Sequence, residues 1–493
     1  MVQYLRAREY RGVMSQETKS EYDVIVIGGG PVGENAASYA IAGSDRTAAI
    51  IEAELVGGEC SYWACMPSKA LLVPGSVLEQ ARNMPGVKEI VGDRELDTAA
   101  VLARRESYTH GLDDSSQVDW AEGAGIDVIR GHGRLSGPRT VTVGDRTITA
   151  RHAVVLATGT TASIPSTPGL REALPWVSRD ATNLHKVPER VIVVGGGVVA
   201  CESVTWLLSL GTREITMVVR GKSLLSGNEP FAGEAVAKSL QDKGVRILFG
   251  ASLDGVDRPD ARDTGYGHIH GGPVTVTVNG ESVTADEIVV AAGRRPASGD
   301  LGLESVGVDG GTSIEVDDHL QVRGVDGEWL YAVGDVNGRA LLTHMGKYQG
   351  RVCGDVIAAR ATAQQLGESR FSASADHGQI PQVVFTSPEV SAVGIFEKEA
   401  RDQGIDVEIV ESDIAVAGSS LQQDNYTGHA KLVVDKTTDT IVGATFVGPG
   451  VAELVHAATI AVVGKVPLDS LWHAVPSYPT VSEIWLRLLE SRR

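Results

Sequence analysis

Cys60 and Cys65, separated by Ser61-Tyr62-Trp63-Ala64 and followed by Met66-Pro67-Ser68-Lys69, are the residues of this chain best placed to do chemistry. A pair at this spacing can close a small disulfide loop. Two free cysteines can also simply fill space as small core residues. A zinc site would need a second Cys or His pair at ligand spacing, and none follows. The 493-residue chain holds four cysteines (Cys60, Cys65, Cys201, Cys353), and two fall in this one loop, directly after the glycines Gly57-Gly58. That concentration points to redox work, with electrons passing from a bound nucleotide to sulfur and onward. Lys69 comes one helical turn after Cys65, so the two share a face if a helix begins near Pro67. A cation there favours the thiolate, the reactive form of the thiol.

The elements that must position this loop are legible upstream. Asp23-Val24-Ile25-Val26-Ile27 is a short β-branched apolar run, the pattern of a strand buried on both faces of a parallel sheet. It leads into Gly28-Gly29-Gly30-Pro31-Val32-Gly33, a small-residue helical stretch, a second strand from Thr47 to Ile51, and Glu52. Gly28 permits the tight turn, Gly30 lets the backbone approach a pyrophosphate, and Gly33 allows close helix–strand packing. Glu52 accepts hydrogen bonds from a ribose. A bare G-x-G-x-x-G is a weak signal, but the strand before it and the acid after it make a dinucleotide fold the expected structure.

A second copy begins at Arg190-Val191-Ile192-Val193-Val194 and runs through Gly195-Gly196-Gly197-Val198-Val199-Ala200 into a helix ending near Leu210. The next strand covers Ile215 to Val219. Arg220, with Lys222 close behind, then stands where the first copy has its acid. Cations there suit the 2′-phosphate of NADP(H) better than the 2′-hydroxyl of NAD(H), the alternative being ordinary solvated loop charges. Two dinucleotide folds imply two nucleotides and a relay between them. Ala157-Thr158-Gly159 and Ala292-Gly293-Arg294-Arg295-Pro296 each close an apolar strand and read as crossings between the two folds. Gly334-Asp335 places a carboxylate at a third strand end, where doubly wound sheets bind ligands. Beyond about Ala375, β segments (Gln382–Phe385, Ala430–Val434, Ile441–Val447) mix with apolar helices (Val451–Val463, Val481–Leu489), the pattern of a separate α+β domain.

Composition narrows the function classes. A net charge of −19 and pI near 5.1 disfavour nucleic acid or an anionic membrane as partner. Hydrophobic content of 42% is enough for a normal globular core, and no apolar run has membrane-spanning length. So few cysteines in so long a chain imply a reducing, cytoplasmic setting. The polar segment Met1–Lys19 has no apolar core and is not read as a secretory signal. Residues 1–20 are expected to be a disordered arm, with Met14 a second candidate start.

In this order, these motifs resemble the flavoprotein disulfide reductases, the class that includes glutathione reductase, lipoamide dehydrogenase and mercuric reductase, from Tyr22 onward. The resemblance implies FAD and a homodimer. It implies FAD contacts at Gly28, Gly30, Pro31, Gly33, Glu52, Gly58, Glu59, Lys69, His132, Gly133, Thr158, Gly159, Asp335, Leu342 and Thr343. His132-Gly133 would meet the adenine and Asp335 the ribityl chain. NAD(P)(H) would be held by Gly195, Gly197, Val198, Val199, Glu202, Arg220, Lys222 and Gly293. Cys60 would be the interchange thiol, Cys65 the thiol facing the flavin, and Lys69 with Glu202 the charged pair beside it. An acid at Glu202 is also favoured by the helix dipole alone. Val384-Phe385-Thr386-Ser387-Pro388-Glu389 resembles the dimerisation domain. The implied architecture is α/β, with two Rossmann-like dinucleotide-binding domains and a C-terminal α+β dimerisation domain. Residues 21–165 and 297–372 would bind FAD, 166–296 NAD(P), and 376–493 the partner subunit.

Departures from the family pattern bear on the substrate. Disulfide-reducing members carry a His-Pro-Thr motif and a Glu that reach the partner's flavin; here Tyr478-Pro479-Thr480 precedes Glu483. A phenol with a reference pKa of ~10 exchanges protons poorly near neutrality, where an imidazole at ~6.5 does so readily. His473 lies nearby in sequence and is a second candidate for the proton. Glu59 stands where many relatives have Thr, and a carboxylate next to Cys60 is expected to raise its pKa. Val198 replaces a Tyr that some relatives place over the nicotinamide. The chain ends Leu488-Leu489-Glu490-Ser491-Arg492-Arg493, without the cysteine pair of mercuric reductase, and no metal-binding N-terminal module precedes the first strand, which argues against mercury reduction. The expected activity is an FAD-dependent NAD(P)H oxidoreductase that feeds Cys60–Cys65 or, directly, a quinone-like acceptor. A lipoamide dehydrogenase-like or low-molecular-weight disulfide reductase is the alternative. A flavin-binding structural subunit or redox sensor is the reading from another class, and two complete nucleotide sites with an intact thiol pair weigh against it.

Overall fold

A computed structural model describes residues 19–492. The N-terminal arm expected over residues 1–20, with Met14, therefore lies almost wholly outside the described residues. The first glycine unit forms as its sequence dictates: strand β1 (Glu21–Ile27), helix α1 (Pro31–Ile41) and strand β2 (Ala48–Glu52). β1 lies parallel to β2 with Val26 opposite Ile50. The thiol loop follows directly as a short helix α2 (Gly58–Tyr62) and a long helix α3 (Cys65–Arg82), which starts at Cys65 itself. Strands β3 (Ile126–Arg130), β4 (Gly133–Gly137), β5 (Thr140–Val143) and β6 (Arg146–Leu156) complete the sheet in the order β3-β2-β1-β6-β5-β4.

The second unit is a parallel sheet. β7 (Arg190–Val194) leads through α4 (Val198–Ser209) to β8 (Glu214–Val219), flanked by β9 (Arg246–Phe249) and β10 (Glu287–Val290) in the order β9-β8-β7-β10. The two segments read as crossings meet each other, because Arg294–Pro296 pairs antiparallel with Thr160–Ala162. The chain then returns to the first sheet, where β11 (Leu330–Ala332) pairs parallel with β6 and puts Asp335 just past a strand end. Helix α5 (Thr343–Ala361) packs across α1. The C-terminal part is a five-stranded antiparallel sheet: β12 (Pro381–Val384), β13 (Glu389–Gly394), β14 (Val407–Asp413), β15 (His429–Asp435) and β16 (Thr440–Gly448), in the order β12-β13-β16-β15-β14. Helices α6 (Val455–Val463) and α7 (Ile484–Glu490) contribute buried side chains to its core. The architecture is thus α/β, with two Rossmann-like folds and a C-terminal α+β domain. Within the C-terminal sheet, β13 and β14 are the two strands that the sequence reading had not marked.

The first sheet has an apolar core of its own, whereas that of the second unit continues into Leu71 of α3 and into Val384 and Val390 of the C-terminal sheet. Val24, Val26, Ile50 and Val155 of the first sheet pack on Ala36, Ala37 and Ala40 of α1 and on Cys353 and Val356 of α5. Small residues on α1 let α5 approach closely: a methyl added to Gly350 would stand 2.6 Å from the Val32 carbonyl oxygen. The Gly350→Ala variant is expected to pry the two helices apart and cost about 1–3 kcal/mol of stability, measurable as a lower midpoint in denaturant unfolding; an unchanged midpoint would contradict the close crossing.

Candidate redox and nucleotide site

The glycine turn after β1 builds a cradle open to a ligand. Gly28 has φ +106°, and a side chain there would strike the Ala157 carbonyl. Gly30 caps α1 with no side-chain hydrogen bond among the described residues, so the first amides of the helix face outward. Pro31 occupies the first turn without wasting a donor. Gly58 brings the thiol loop against this turn, where a methyl would lie 2.8 Å from the Gly30 Cα. At the end of β2, the Glu52 carboxylate accepts the Gly29 N–H at 2.6 Å and the Glu54 N–H at 2.7 Å, while burial raises its pKa. Bare glycine backbone, a helix N-terminus and a ribose-reading acid together fit FAD.

Thr158 donates to the Ala297 carbonyl at 2.9 Å, and Gly159 follows at φ +69°. Asp335 accepts from the Thr160 hydroxyl at 2.9 Å, and burial raises its pKa. Leu342 caps α5 and Thr343 opens it. Gly133 opens β4 beside Ile27 and Ile51, but His132 turns its ring to Asp300, 2.9 Å from the carbonyl oxygen. In the second unit, Gly195 has φ +131° and Gly197 caps α4, placing Val198 and Val199 in its first turn. Gly293, at φ +130°, accepts the Ser163 N–H at 2.9 Å. Arg220 and Lys222 are exposed just past β8, and neither has an ion-pair partner among the described residues.

The thiols sit at the junction of these parts. Cys65 Sγ lies 3.3 Å from the Thr343 hydroxyl, and Lys69, one turn along α3, donates to Glu202 at 2.9 Å. Glu202 is 4% exposed and also accepts the Phe385 N–H at 3.0 Å; the Lys69 ammonium lies 4.7 Å from the centre of the Phe385 ring. The Cys65 thiol is held well below the usual range by the hydrogen bond with Cys60, then by Thr343 and the Lys69 charge. Cys60 is pushed up by the same hydrogen bond and by burial. One sequence expectation is corrected here. Glu59 does not turn on Cys60; its carboxylate is taken by Arg179 at 2.5 Å, with Arg294 3.5 Å away. Arg179 also pairs with Glu54 and lies over the Trp63 ring. Neither arginine stood out in sequence as a site residue: Arg179 is 120 residues from Glu59, and nothing local ties it to the loop.

Tyr478 and Glu483 lie apart from this cluster's contacts. The Tyr478 side chain is 77% exposed, and Glu483 accepts the Gly418 N–H at 3.3 Å. His473 is also exposed. Among the described residues no group of three His, Cys, Asp or Glu is arranged to hold a metal ion, and no helix is long and apolar enough to cross a membrane.

Because the Lys69 charge helps hold Cys65 as a thiolate, Lys69→Met is expected to raise the Cys65 pKa and slow its alkylation in the reduced protein between pH 6 and 7 by several-fold. Iodoacetamide labelling read by mass spectrometry checks this, and an unchanged rate would show that the cation does not act on the sulfur.

Comparison with known proteins agrees with this geometry. Residues 22–350 match the pyridine nucleotide-disulphide oxidoreductase family, and residues 380–488 match its dimerisation domain. Mercuric reductase from Staphylococcus aureus is 29% identical over 94% of this chain and 81% of its own length. Dihydrolipoyl dehydrogenase from Chlamydia muridarum is 28% identical over 94% of this chain and 95% of its own. A Cu(II) complex of the HOCl-induced flavoprotein disulfide reductase RclA from Escherichia coli has the same fold, with a TM-score of 0.80 over 96% of this chain and all of that one at 22% identity. The chain belongs to the pyridine nucleotide-disulphide oxidoreductases, enzymes that use FAD and NAD(P)H.

Proposed function

We propose that this enzyme is an NADPH-oxidising flavoprotein reductase whose electrons leave through Cys60–Cys65 or pass directly to a small quinone-like acceptor. The reading is carried by the convergence of Cys65 Sγ, the Thr343 hydroxyl and the Lys69–Glu202 pair at one junction. FAD, when bound, supplies the two-electron exchange between the nicotinamide and the thiols or acceptor. The chain's own groups do the rest. Two electrons and one proton break the Cys60–Cys65 bond, leaving the proton on Cys60 and the thiolate on Cys65, where Lys69 stabilises it. Glu202 holds Lys69 in place through their ion pair. Gly28, Gly30, Gly33 and Gly58 admit the FAD pyrophosphate, Glu52 its ribose, and Asp335 its sugar chain.

Residues 21–165 with 297–372 hold FAD in this account, 166–296 hold NADPH, and 376–493 pair two subunits. Exposed Tyr478 is then free to meet the partner. A phenol there trades protons poorly with a thiol at neutral pH, which favours an acceptor that needs no proton shuttle. The intact thiol pair keeps a low-molecular-weight disulfide as the second reading. The small number of cysteines supports a reducing, cytoplasmic location.

Two measurements test this. Steady-state turnover of the Cys60→Ser variant should keep quinone reduction within about twofold while abolishing disulfide reduction; loss of both would place the thiols on every electron route. The Arg220→Ala, Lys222→Ala double variant should raise the KM for NADPH roughly tenfold, about 1.4 kcal/mol, and leave NADH nearly unaffected. An equal effect on both nucleotides would overturn the 2′-phosphate assignment.

A further inference from the structure

The turn that carries Asp335 is held by buried side chains that the proposed reaction does not use. β11 ends at Ala332, and a single 3₁₀ turn, Gly334–Asn337, follows it. Thr343, Gly346 and Gln349 lie along one face of α5 at three-residue spacing. Thr343 meets Cys65, and a methyl added to Gly346 would stand 3.4 Å from the Gly334 Cα, so the helix runs directly against the turn.

Gln349 is 0% exposed, and both ends of its amide are engaged. The carbonyl oxygen accepts the Gly334 N–H at 2.7 Å and the Asn337 side-chain amide at 2.8 Å, so one atom grips both ends of the turn around Asp335. Asn337 is itself fixed, donating to the Ala332 carbonyl at 3.1 Å and accepting the Arg339 N–H at 3.0 Å. At its other end Gln349 donates from Nε2 to Asp376 at 2.9 Å. Asp376 lies between α5 and β12, on the connection into the C-terminal sheet, and its side chain is 1% exposed. Arg339 balances the charge, with Nε 3.1 Å from the same carboxylate oxygen. The other oxygen, Oδ1, is buried with no hydrogen-bond partner among the described residues.

Burying a carboxylate on such terms costs stability. What it holds explains its presence. A glutamine amide turned end for end would set its own N–H groups against the Gly334 N–H, and Asp376 is the acceptor that keeps it the right way round.

We propose that Gln349 and Asp376 are positioning residues for FAD: the carboxylate orients the amide, the amide closes the turn, and the turn aims Asp335 at the ribityl chain. The proposal rests on the reading of Asp335 as the ribityl contact. Thr160 fixes the Asp335 carboxylate from the crossing strands, and Gln349 fixes the backbone beside it from α5. Thr343 rides on the same helix, so the sulfurs and the flavin's sugar chain are referenced to one rigid element. Flavin retention thereby depends on a residue of the connection between domains.

The test is the rate at which purified holoprotein, strongly diluted, releases FAD, followed by the rise in flavin fluorescence. Gln349→Glu sets two carboxylates against one guanidinium and should speed release roughly tenfold. Adding Asp376→Asn reverses the pair while keeping one carboxylate, one amide and the bond to Gly334, and should bring release back to within about threefold of native. A double variant as leaky as Gln349→Glu alone would overturn the pairing. Should Gln349→Glu fail to fold, Asp376→Ala leaves the turn's own residues in place and should still speed release; release at the native rate would overturn the proposal. Positioning is separated from general stability in an Asp335→Ala background. There Gln349→Glu should add little, and fully additive effects would contradict an action through Asp335. An Asp335→Ala protein that keeps FAD as the native one does would instead overturn the ribityl reading, and the proposal with it.

Discussion

The structure turns on the ion pair between Lys69 and Glu202. Lys69 comes from α3, the helix that starts at Cys65, and Glu202 from α4, the helix that follows the second glycine turn. Glu202 also accepts the Phe385 N–H from the edge of the C-terminal sheet. One buried carboxylate therefore ties together all three parts of the chain at the point where the thiols lie. Such a pair contributes little net stability, because two desolvated charges offset most of their own attraction. What it contributes is placement. Removing Lys69 would leave the buried Glu202 carboxylate without its cation and loosen the junction around Cys65.

The surrounding charges keep that junction ordered without crowding the sulfurs. Arg179 spans Glu54 and Glu59 and lies over Trp63, so the acid beside Cys60 is spent on the loop's own anchoring. Arg294 bonds the hydroxyl and carbonyl of Thr160, the residue that donates to Asp335, so the crossing strands hold the carboxylate at the third strand end. Cys60 and Cys65 consequently feel each other, and Cys65 also feels the Lys69 charge. Unequal surroundings give unequal thiols: Cys65 is the better anion and Cys60 the better proton carrier.

Much of this was legible in the sequence because short-range rules govern it. Buried β-branched runs followed by glycines located β1 and β7 within two residues, and the step from Glu52 to Arg220 distinguished the two nucleotide folds. The thiol loop and Lys69 were visible from spacing alone. What escaped was set by tertiary contact. Arg179 reaches Glu59 across 120 residues, and with that carboxylate taken the rise in the Cys60 pKa comes from Cys65 and burial instead. Strands β13 and β14 were hidden because their apolar residues do not alternate cleanly with polar ones.

The central claim is that Cys65 is a thiolate poised by Lys69 and Glu202 next to the bound flavin. Anaerobic titration of the holoprotein with NADPH, followed by absorbance, tests it most directly. The account predicts uptake of two electrons with a broad long-wavelength charge-transfer band that is lost in Cys65→Ser and weakened in Lys69→Met. Bleaching of the flavin with no such band in the native protein would contradict it, because the sulfurs would then stand outside the electron path.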